Sequence, residues 1–490
     1  MTPKVDWFAL SPSLALLAGG GAALLIAVLV PKWARAPLAA FAAALGFAGA
    51  FVAAALLFWK TPEALTVVSE AMVRDRFGSF AQMIVAGAGL LTVGLSYSRS
   101  SRGHHAGEFY ALLAAAGGGI AFLVQANNLM TLFLGLEWFS VALYILCAIE
   151  LDLVGSLEAG LKYLIIGGFG SAVLLFGSAL IFGATGELRF AEIASAIQEQ
   201  GLKDDPLLVA GLAMLIGGLG FKASAAPFHQ WTPDVYEGAP TPVTAFMSAA
   251  TKAVAVVLTL RVLTTAFPAE DELWTIAVAF IVCASLALGN LAALVQRNIK
   301  RMLAYSSIAH AGFLLMAVAA DNELGARALL FYLIPYSAAS IGAFAVVAAR
   351  ERELGTPVTL DNLAGLGWER PLLGVAMWAF MLSFAGLPPT GGFVGKFYVF
   401  SSAYERGWTW LVIVGVVATL ISLYYYLAVI RALYMRSPLE LQLAPSGGSP
   451  PREVLLGASV LLAMAVTIGS FFAVEPLIDL AREAAESLSF

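Results

Sequence analysis

Apolar residues run along this chain in blocks of about 20, separated by short polar breaks, and a block of that length crosses a bilayer as one helix. Read this way, the pattern predicts about 14 spans. They fall near residues 12–30, 37–59, 77–97, 108–125, 128–149, 160–183, 206–231, 241–266, 273–294, 301–319, 326–349, 371–402, 408–434 and 454–474. The links are short, so neighbouring spans are antiparallel. The longest breaks, 184–205, 350–370 and 435–453, suit surface loops or short interfacial helices, and none leaves room for a separate soluble domain. The expected class is an all-α polytopic membrane protein.

Composition agrees. Of 490 residues, 60% are hydrophobic and 12% charged, and the mean hydropathy is +0.86, whereas a soluble domain carries about 25% charged residues. The net charge of −5 gives no footprint for nucleic acid. Cys147 and Cys283 sit alone in apolar runs and read as core residues, since an iron–sulfur cluster takes about four protein ligands. No GxGxxG opens a helix after a strand, so no dinucleotide fingerprint is present. The N-terminal run continues to Val30 without a small-residue cleavage site, which reads as the start of a mature chain.

Lys and Arg in the links set the orientation. Links after odd spans hold Lys32, Arg35, Arg99, Arg102, Arg297, Lys300, Arg301, Arg350, Arg352, Arg370, Arg431, Arg436 and Arg452, about 13 against about 9 on the other side. The bias predicts odd links in the cytoplasm and both termini outside.

Some charges fall where hydrocarbon should be. Lys162, Lys222, Lys252, Arg261 and Lys396 lie inside spans, as do Glu137 and His310. A charge at the bilayer centre costs about 2.5–3.5 kcal/mol on insertion scales. Near a span end a long side chain can snorkel to the headgroups, which is the expectation for Arg261. Lys162, one turn inside its span, is ambiguous. Lys252 and Glu137 lie near mid-depth, where snorkelling fails. Burial weakens a lysine's hold on its proton and a nearby carboxylate strengthens it. A lysine whose acid partner comes and goes therefore takes up and releases a proton. Glu137 with Lys222 is a candidate pair of this kind; a static pair that pins two helices is the alternative.

Two spans are interrupted. GLGFKASAAPFHQWTPDVYEGAPTPVTAF, residues 218–246, holds Lys222 and His229 among four prolines, and FMLSFAGLPPTGGFVGKFYVF, residues 380–400, holds Lys396 after Pro388 and Pro389. Glu137 precedes Lys222 by 85 positions and His310 precedes Lys396 by 86, while KYLII at 162 matches FYLIP at 331. Polar residues thus recur at matching places in spans 4–8 and 9–13. Five spans is an odd number, so the second block is inverted relative to the first, the plan of secondary transporters with broken helices at the centre. Non-helical backbone at membrane depth is tolerated only where protein or a water-filled cavity covers it. The expected division is 1–107 for three N-terminal spans, 108–266 and 267–434 for the repeats, and 435–490 for a loop and the last span.

These stretches resemble a family. GLGFKASAAPFHQWTPDVYEGAPTPVTAFMSAATKA (218–253), NLAALVQRNIKRMLAYSSIAHAGFLLMA (290–317), MLSFAGLPPTGGFVGKFYVF (381–400), GLEWFSVALYILCA (135–148) and LEAGLKYLIIGGFGSAVLLFGSALIFGATG (157–186) are similar to the antiporter-like membrane subunits of the proton-pumping NADH–quinone oxidoreductase, respiratory complex I. TPDVYEGAPTPV followed by Lys252 points to the N type rather than its L and M sisters. The resemblance covers about 80–435, with no departure at the charged positions.

The resemblance implies proton translocation through two half-channels. Glu137 pairs with Lys222, Lys252 links to the centre, His310 bridges onward, and Lys396 serves the second half-channel. Lys162 tunes the Lys222 proton affinity and His229 is a lesser member. Tyr305, Ser306 and Ser307 are positioned to order water but carry no assigned role. The chain itself is expected to hold no cofactor. NADH, FMN, iron–sulfur clusters and quinone belong to partner subunits, with M, K and J type neighbours in a bacterial inner membrane. Three other readings remain: a subunit of a multisubunit cation/proton antiporter, a subunit of a ferredoxin- or hydrogenase-linked complex, or a structural scaffold whose charges only pin helices.

Overall fold

In the computed structural model, residues 5–100, 105–435 and 453–488 are described. Most of the expected 435–453 loop, with Arg436 and Arg452, lies outside them, as do Arg102 and the Arg99 side chain.

The spans are α1 (Ser11–Leu29), α2 (Lys32–Lys60), α3 (Arg76–Ser100), α4 (Ala106–Leu123), α5 (Leu129–Cys147) and α6 (Val154–Thr185). α7 is split into α7a (Pro206–Lys222) and α7b (Trp231–Gly238). α8 (Thr241–Ala266), α9 (Asp271–Leu294), α10 (Ile299–Ala319) and α11 (Glu323–Leu354) follow. α12 is again split, into α12a (Pro371–Ala385) and α12b (Gly391–Glu405), before α13 (Thr409–Met435) and α14 (Val454–Phe472). Among the described residues, 12 helices are long and apolar enough to cross a membrane, and the shorter α7a and α12a are the first halves of the two broken spans. Both breaks fall where the proline-rich stretches predict them, five spans apart.

The two blocks carry the same local devices. Asn128 accepts the Thr131 amide to cap α5, and Asn298 accepts the Arg301 amide to cap α10, supplying an acceptor for amides the helix start leaves unpaired. Each of these starts is tied to the segment after the following span: the Leu129 amide donates to the Leu188 carbonyl and the Ile299 amide to the Val358 carbonyl, both at 3.0 Å. α6 and α11 are each 32 residues long and end on a left-handed glycine, Gly186 and Gly355. α5 starts after an even link and α10 after an odd one, so the devices sit on opposite faces, as inversion requires.

α8, α10 and α11 form the interior, with 94–100% of their spanning windows buried, against 33% for α1, α13 and α14. Lipid tails are as apolar as leucine, so helix association in a membrane rests on close packing. Gly177 on α6 shows this: a Cβ there would stand 2.8 Å from the Gly211 carbonyl oxygen of α7a.

The 184–205 segment holds a short helix, Phe190–Glu199, with its apolar residues inward, one of the two forms expected for that break. Two features outside the spans were not expected. Leu65–Val67 pairs antiparallel with Met72–Arg74 in the α2–α3 link. A helix at Val474–Ala485 follows α14 and packs on α3 and α11, and Arg76 bonds Glu483 at 2.9 Å.

Candidate functional site

The first polar cluster lies between α5 and the end of α7a. Glu137 is the ninth of 19 residues of α5, and Ser140 lies on the same helix face one turn on. Lys222, 5% exposed, is in the last turn of α7a and donates to Ser140 Oγ at 2.9 Å; Ser140 in turn donates to the Leu136 carbonyl. The rings of Phe139, Tyr144 and Phe221 surround the ammonium at 5.5–5.9 Å. No direct ion pair joins Glu137 to Lys222 among the described residues, which corrects the expected contact. Ser140 takes the lysine, while Glu137 acts on its charge only through space and keeps a buried Oε1 without a partner. Tyr144 lies nearby, within side-chain reach of Ser140 and Ser171. A buried oxygen such as that of Glu137 is normally satisfied by internal water.

The α7 break, 223–230, finds partners for several of its backbone groups within itself and on α9. The Ala225 amide bonds the Gly220 carbonyl, the Ala226 amide bonds Ser285 Oγ of α9, and Trp231 Nε1 donates to the Phe221 carbonyl. Residues 223–226 are buried, and Pro227 and Phe228 face outward. His229 is half-buried in the break, beside the Pro227 backbone.

The central section is built on α8, α10 and α11. A π-turn at Met247–Thr251 interrupts α8 immediately before Lys252; such turns gather at functional sites because they re-aim the residues that follow. Lys252 is fully buried at mid-span and donates to the Ser307 carbonyl at 2.5 Å. Ser307 Oγ meets Tyr336 Oη at 3.1 Å, Tyr336 donates to the Ser248 carbonyl, and Ser340 donates to Ser248 Oγ at 2.7 Å. One turn along α10, His310 has both ring nitrogens engaged: Nδ1 with Tyr332 Oη at 2.8 Å and Nε2 with Tyr426 Oη at 3.2 Å.

Lys396, 3% exposed, is on α12b but reaches back across its break to donate to the Phe384 carbonyl at 2.8 Å, the end of α12a. Phe313 lies under it at 4.4 Å. Gly386 turns the chain at φ +76°, and a Cβ there would stand 2.8 Å from Lys396 Cδ, so glycine serves both the turn and the lysine's path.

A polar vestibule of about 860 Å³ opens on the face of the odd links. Lys162 bonds Glu158 at 2.7 Å and Asp234 at 2.8 Å, and Arg301 bonds Asp234 at 2.6 Å and Glu237 at 2.9 Å. Lys300 donates to the Ala239 carbonyl at 2.7 Å and Thr241 bonds Glu351. Lys162 is therefore engaged at the mouth of the protein and does not touch Lys222. The eight-residue α7b connects the two regions, with Asp234 at the vestibule and Trp231 stacked on Tyr163 inside.

Arg261 does not snorkel. It forms a buried two-pronged pair with Asp75 at the start of α3, at 2.7 and 3.0 Å, because an acid far away in the sequence meets it. Cys147 is buried, Cys283 is half-buried, and both are free thiols. The structure thus brings Lys252, His310, Ser306 and Ser307 into one region, while Tyr305, half-buried on α10, is outside the hydrogen-bonded groups of that region. Sequence reasoning missed Ser140, Ser248, Ser340, Tyr332, Tyr336 and Tyr426. The available signal was the four-residue spacing of Tyr332 and Tyr336, which puts both on one face of α11.

Residues 126–422 match the family model described as NADH:quinone oxidoreductase/Mrp antiporter, TM. NADH-quinone oxidoreductase subunit N of Trichlorobacter lovleyi is 43% identical over 433 residues, covering 87% of each chain. A chain of respiratory complex I from Thermus thermophilus with bound aureothin is similar in structure, with a TM-score of 0.77 and 34% identity over 96% of this chain and 99% of that one. A chain of the Mrp complex from Dietzia sp. has a TM-score of 0.83 at 21% identity, covering 97% of each, which is a likeness of fold.

Proposed function

Because this chain belongs to the NADH-quinone oxidoreductase subunit N family, we propose that it carries protons across the membrane through two half-channels, driven by electron transfer from NADH to quinone in partner subunits. The observation that carries this reading is how its buried cations are held. Lys222, Lys252 and Lys396 each donate to a neutral oxygen rather than to a carboxylate. Where the same chain uses a buried charge for structure, at Arg261, it supplies a two-pronged acid partner. An unpaired buried ammonium is costly, and such groups relieve the cost by giving up the proton. Three lysines of this kind at membrane depth suit a path that loads and unloads protons, and they count against a scaffold.

The vestibule is the entry in this reading. A proton passes α7b to Lys222, with Glu137 within electrostatic reach, and moves by Lys252 and His310 to Lys396 and the second half-channel. His229 and Lys162 stand at the edges of the path, in the break and at the mouth. Moving one charge against 100 mV takes about 2.3 kcal/mol. A hundredfold change in proton affinity supplies about that, at about 1.4 kcal/mol per tenfold, so a shift of Glu137 toward or away from Lys222 is adequate in size. The excess of Lys and Arg supports placing the vestibule in the cytoplasm and both termini outside. The matching caps and equal helix lengths support division at 108–266 and 267–434. Partners of the M, K and J type, and the flavin, iron–sulfur clusters and quinone in partner subunits, follow from family membership.

The test is Lys222→Ala and Glu137→Ala in the assembled complex. Proton pumping in inverted vesicles, normalised to complex content, should fall in each; near-normal pumping with normal assembly overturns the proposal.

A further inference from the structure

We infer that His310, clamped between the hydroxyls of Tyr332 and Tyr426, passes protons between the Lys252 and Lys396 regions by exchange of hydrogen bonds among side chains, with the two tyrosines as conducting residues. This rests on the proposed proton path and names groups in it that charge alone does not reveal.

The geometry is specific. His310 is 2% exposed, at the twelfth of 21 positions of α10, and the charges of Lys252 and Lys396 both act on it. Tyr332 comes from α11 and Tyr426 from α13, so three helices meet at one imidazole. Tyr426 Oη continues to Ser306 Oγ at 2.5 Å. The Tyr332 ring lies against Gly395, next to Lys396, where a Cβ would come within 2.3 Å of Cδ2. The faces of the imidazole are closed by Tyr336 and Phe384, with ring centroids 5.1 and 5.2 Å away.

A neutral imidazole donates from one nitrogen and accepts at the other, and here each nitrogen meets a hydroxyl that does both. In one transfer the Ser306 hydrogen moves to Tyr426 Oη, the Tyr426 hydrogen to Nε2, the Nδ1 hydrogen to Tyr332 Oη, and the Tyr332 hydrogen leaves toward Lys396. The hydrogen lost by Ser306 is replaced from the Lys252 side. Every N–H or O–H bond broken is matched by one formed, no heavy atom is displaced, and the ring ends in its other tautomer. Reorientation of the two hydroxyls and of the imidazole ring, which keeps its hydrogen, resets the link for the next transfer, and the link carries H⁺ and no other ion.

The test uses the whole complex in inverted vesicles, with NADH and a short-chain quinone. Tyr332→Phe and Tyr426→Phe keep the rings and remove the hydroxyls, so packing survives and conduction does not. Each should lower pumping severalfold, to the level of His310→Phe, and the double variant should be no worse than the worse single. Wild-type pumping in both single variants, with His310→Phe impaired, overturns the relay and leaves the wider path standing. Wild-type pumping in His310→Phe, Lys222→Ala and Lys396→Ala as well overturns the path itself. If a Phe variant does not assemble, site-specific difluorotyrosine at 332 and 426 keeps the hydroxyl and makes it more acidic. The pH profile of pumping should then move relative to wild type, with Lys252, Lys396 and Tyr336 the other titratable groups facing the imidazole, and an unmoved profile overturns the relay.

Discussion

The two broken spans reach the same electrostatic arrangement by different routes. In α7 the lysine precedes the break, in the last turn of α7a. In α12 it follows the break and folds back to the last carbonyls of α12a. Both ammoniums therefore sit at the C-terminal end of a half-helix, where the helix dipole is negative and favours a cation. What differs is the partner on the matching helix of each block. α5 brings an acid, Glu137, into electrostatic range of Lys222. α10 brings a base, His310, into the field of Lys396. The first half thus combines a base with a counter-charge, and the second holds two bases side by side. In the proposed path the acid partner would make a switch and the basic partner a relay, so the inverted copies would not be interchangeable.

This contrast can be broken by mutation. The largest effects should come from the lysines: Lys222→Ala and Lys396→Ala should each cut pumping by about tenfold or more, equivalent to at least about 1.4 kcal/mol, measured as proton uptake into inverted vesicles at equal complex content. A smaller loss at one lysine would show that its half-channel is dispensable. Next, Glu137→Gln removes the counter-charge but keeps the size, and should cost severalfold. His310→Glu turns the relay into a second switch, and should leave pumping lower than wild type; recovery would mean that the identity of the partner does not matter. Gly386→Ala should destabilise by about 1–2 kcal/mol, since alanine meets both the left-handed turn and Lys396, read as a lower thermal midpoint of the complex together with a severalfold pumping loss. The smallest effect should be Ser140→Ala, about threefold or less, because water can take over a hydroxyl's role as acceptor.

Much of the architecture was readable because lipid imposes a simple rule. A run of about 20 apolar residues has few alternatives to a helix, and prolines after a lysine at span depth mark a break. The site was half readable. Charges stand out in an apolar run, so Glu137, Lys222, Lys252, His310 and Lys396 could be named from sequence. Tyr332, Tyr336 and Tyr426 could not, since an aromatic in an apolar block looks like packing until its hydroxyl has a partner. The partnership of Arg261 with Asp75 depends on a contact across 186 positions, and that of Lys162 with Asp234 on how α7b folds back. The hydroxyl of Ser140 displaced Glu137 as the direct ligand of Lys222, a matter of one helical turn that hydropathy does not record.

Both breaks turn prolines to the outside: Pro227 in α7, Pro388 and Pro389 in α12. An opened helix usually shows bare amide hydrogens to its surroundings, and in hydrocarbon each one would invite water and leak current. Proline has no such hydrogen. At these three positions the gaps that give the lysines room therefore present no amide hydrogen to the outside.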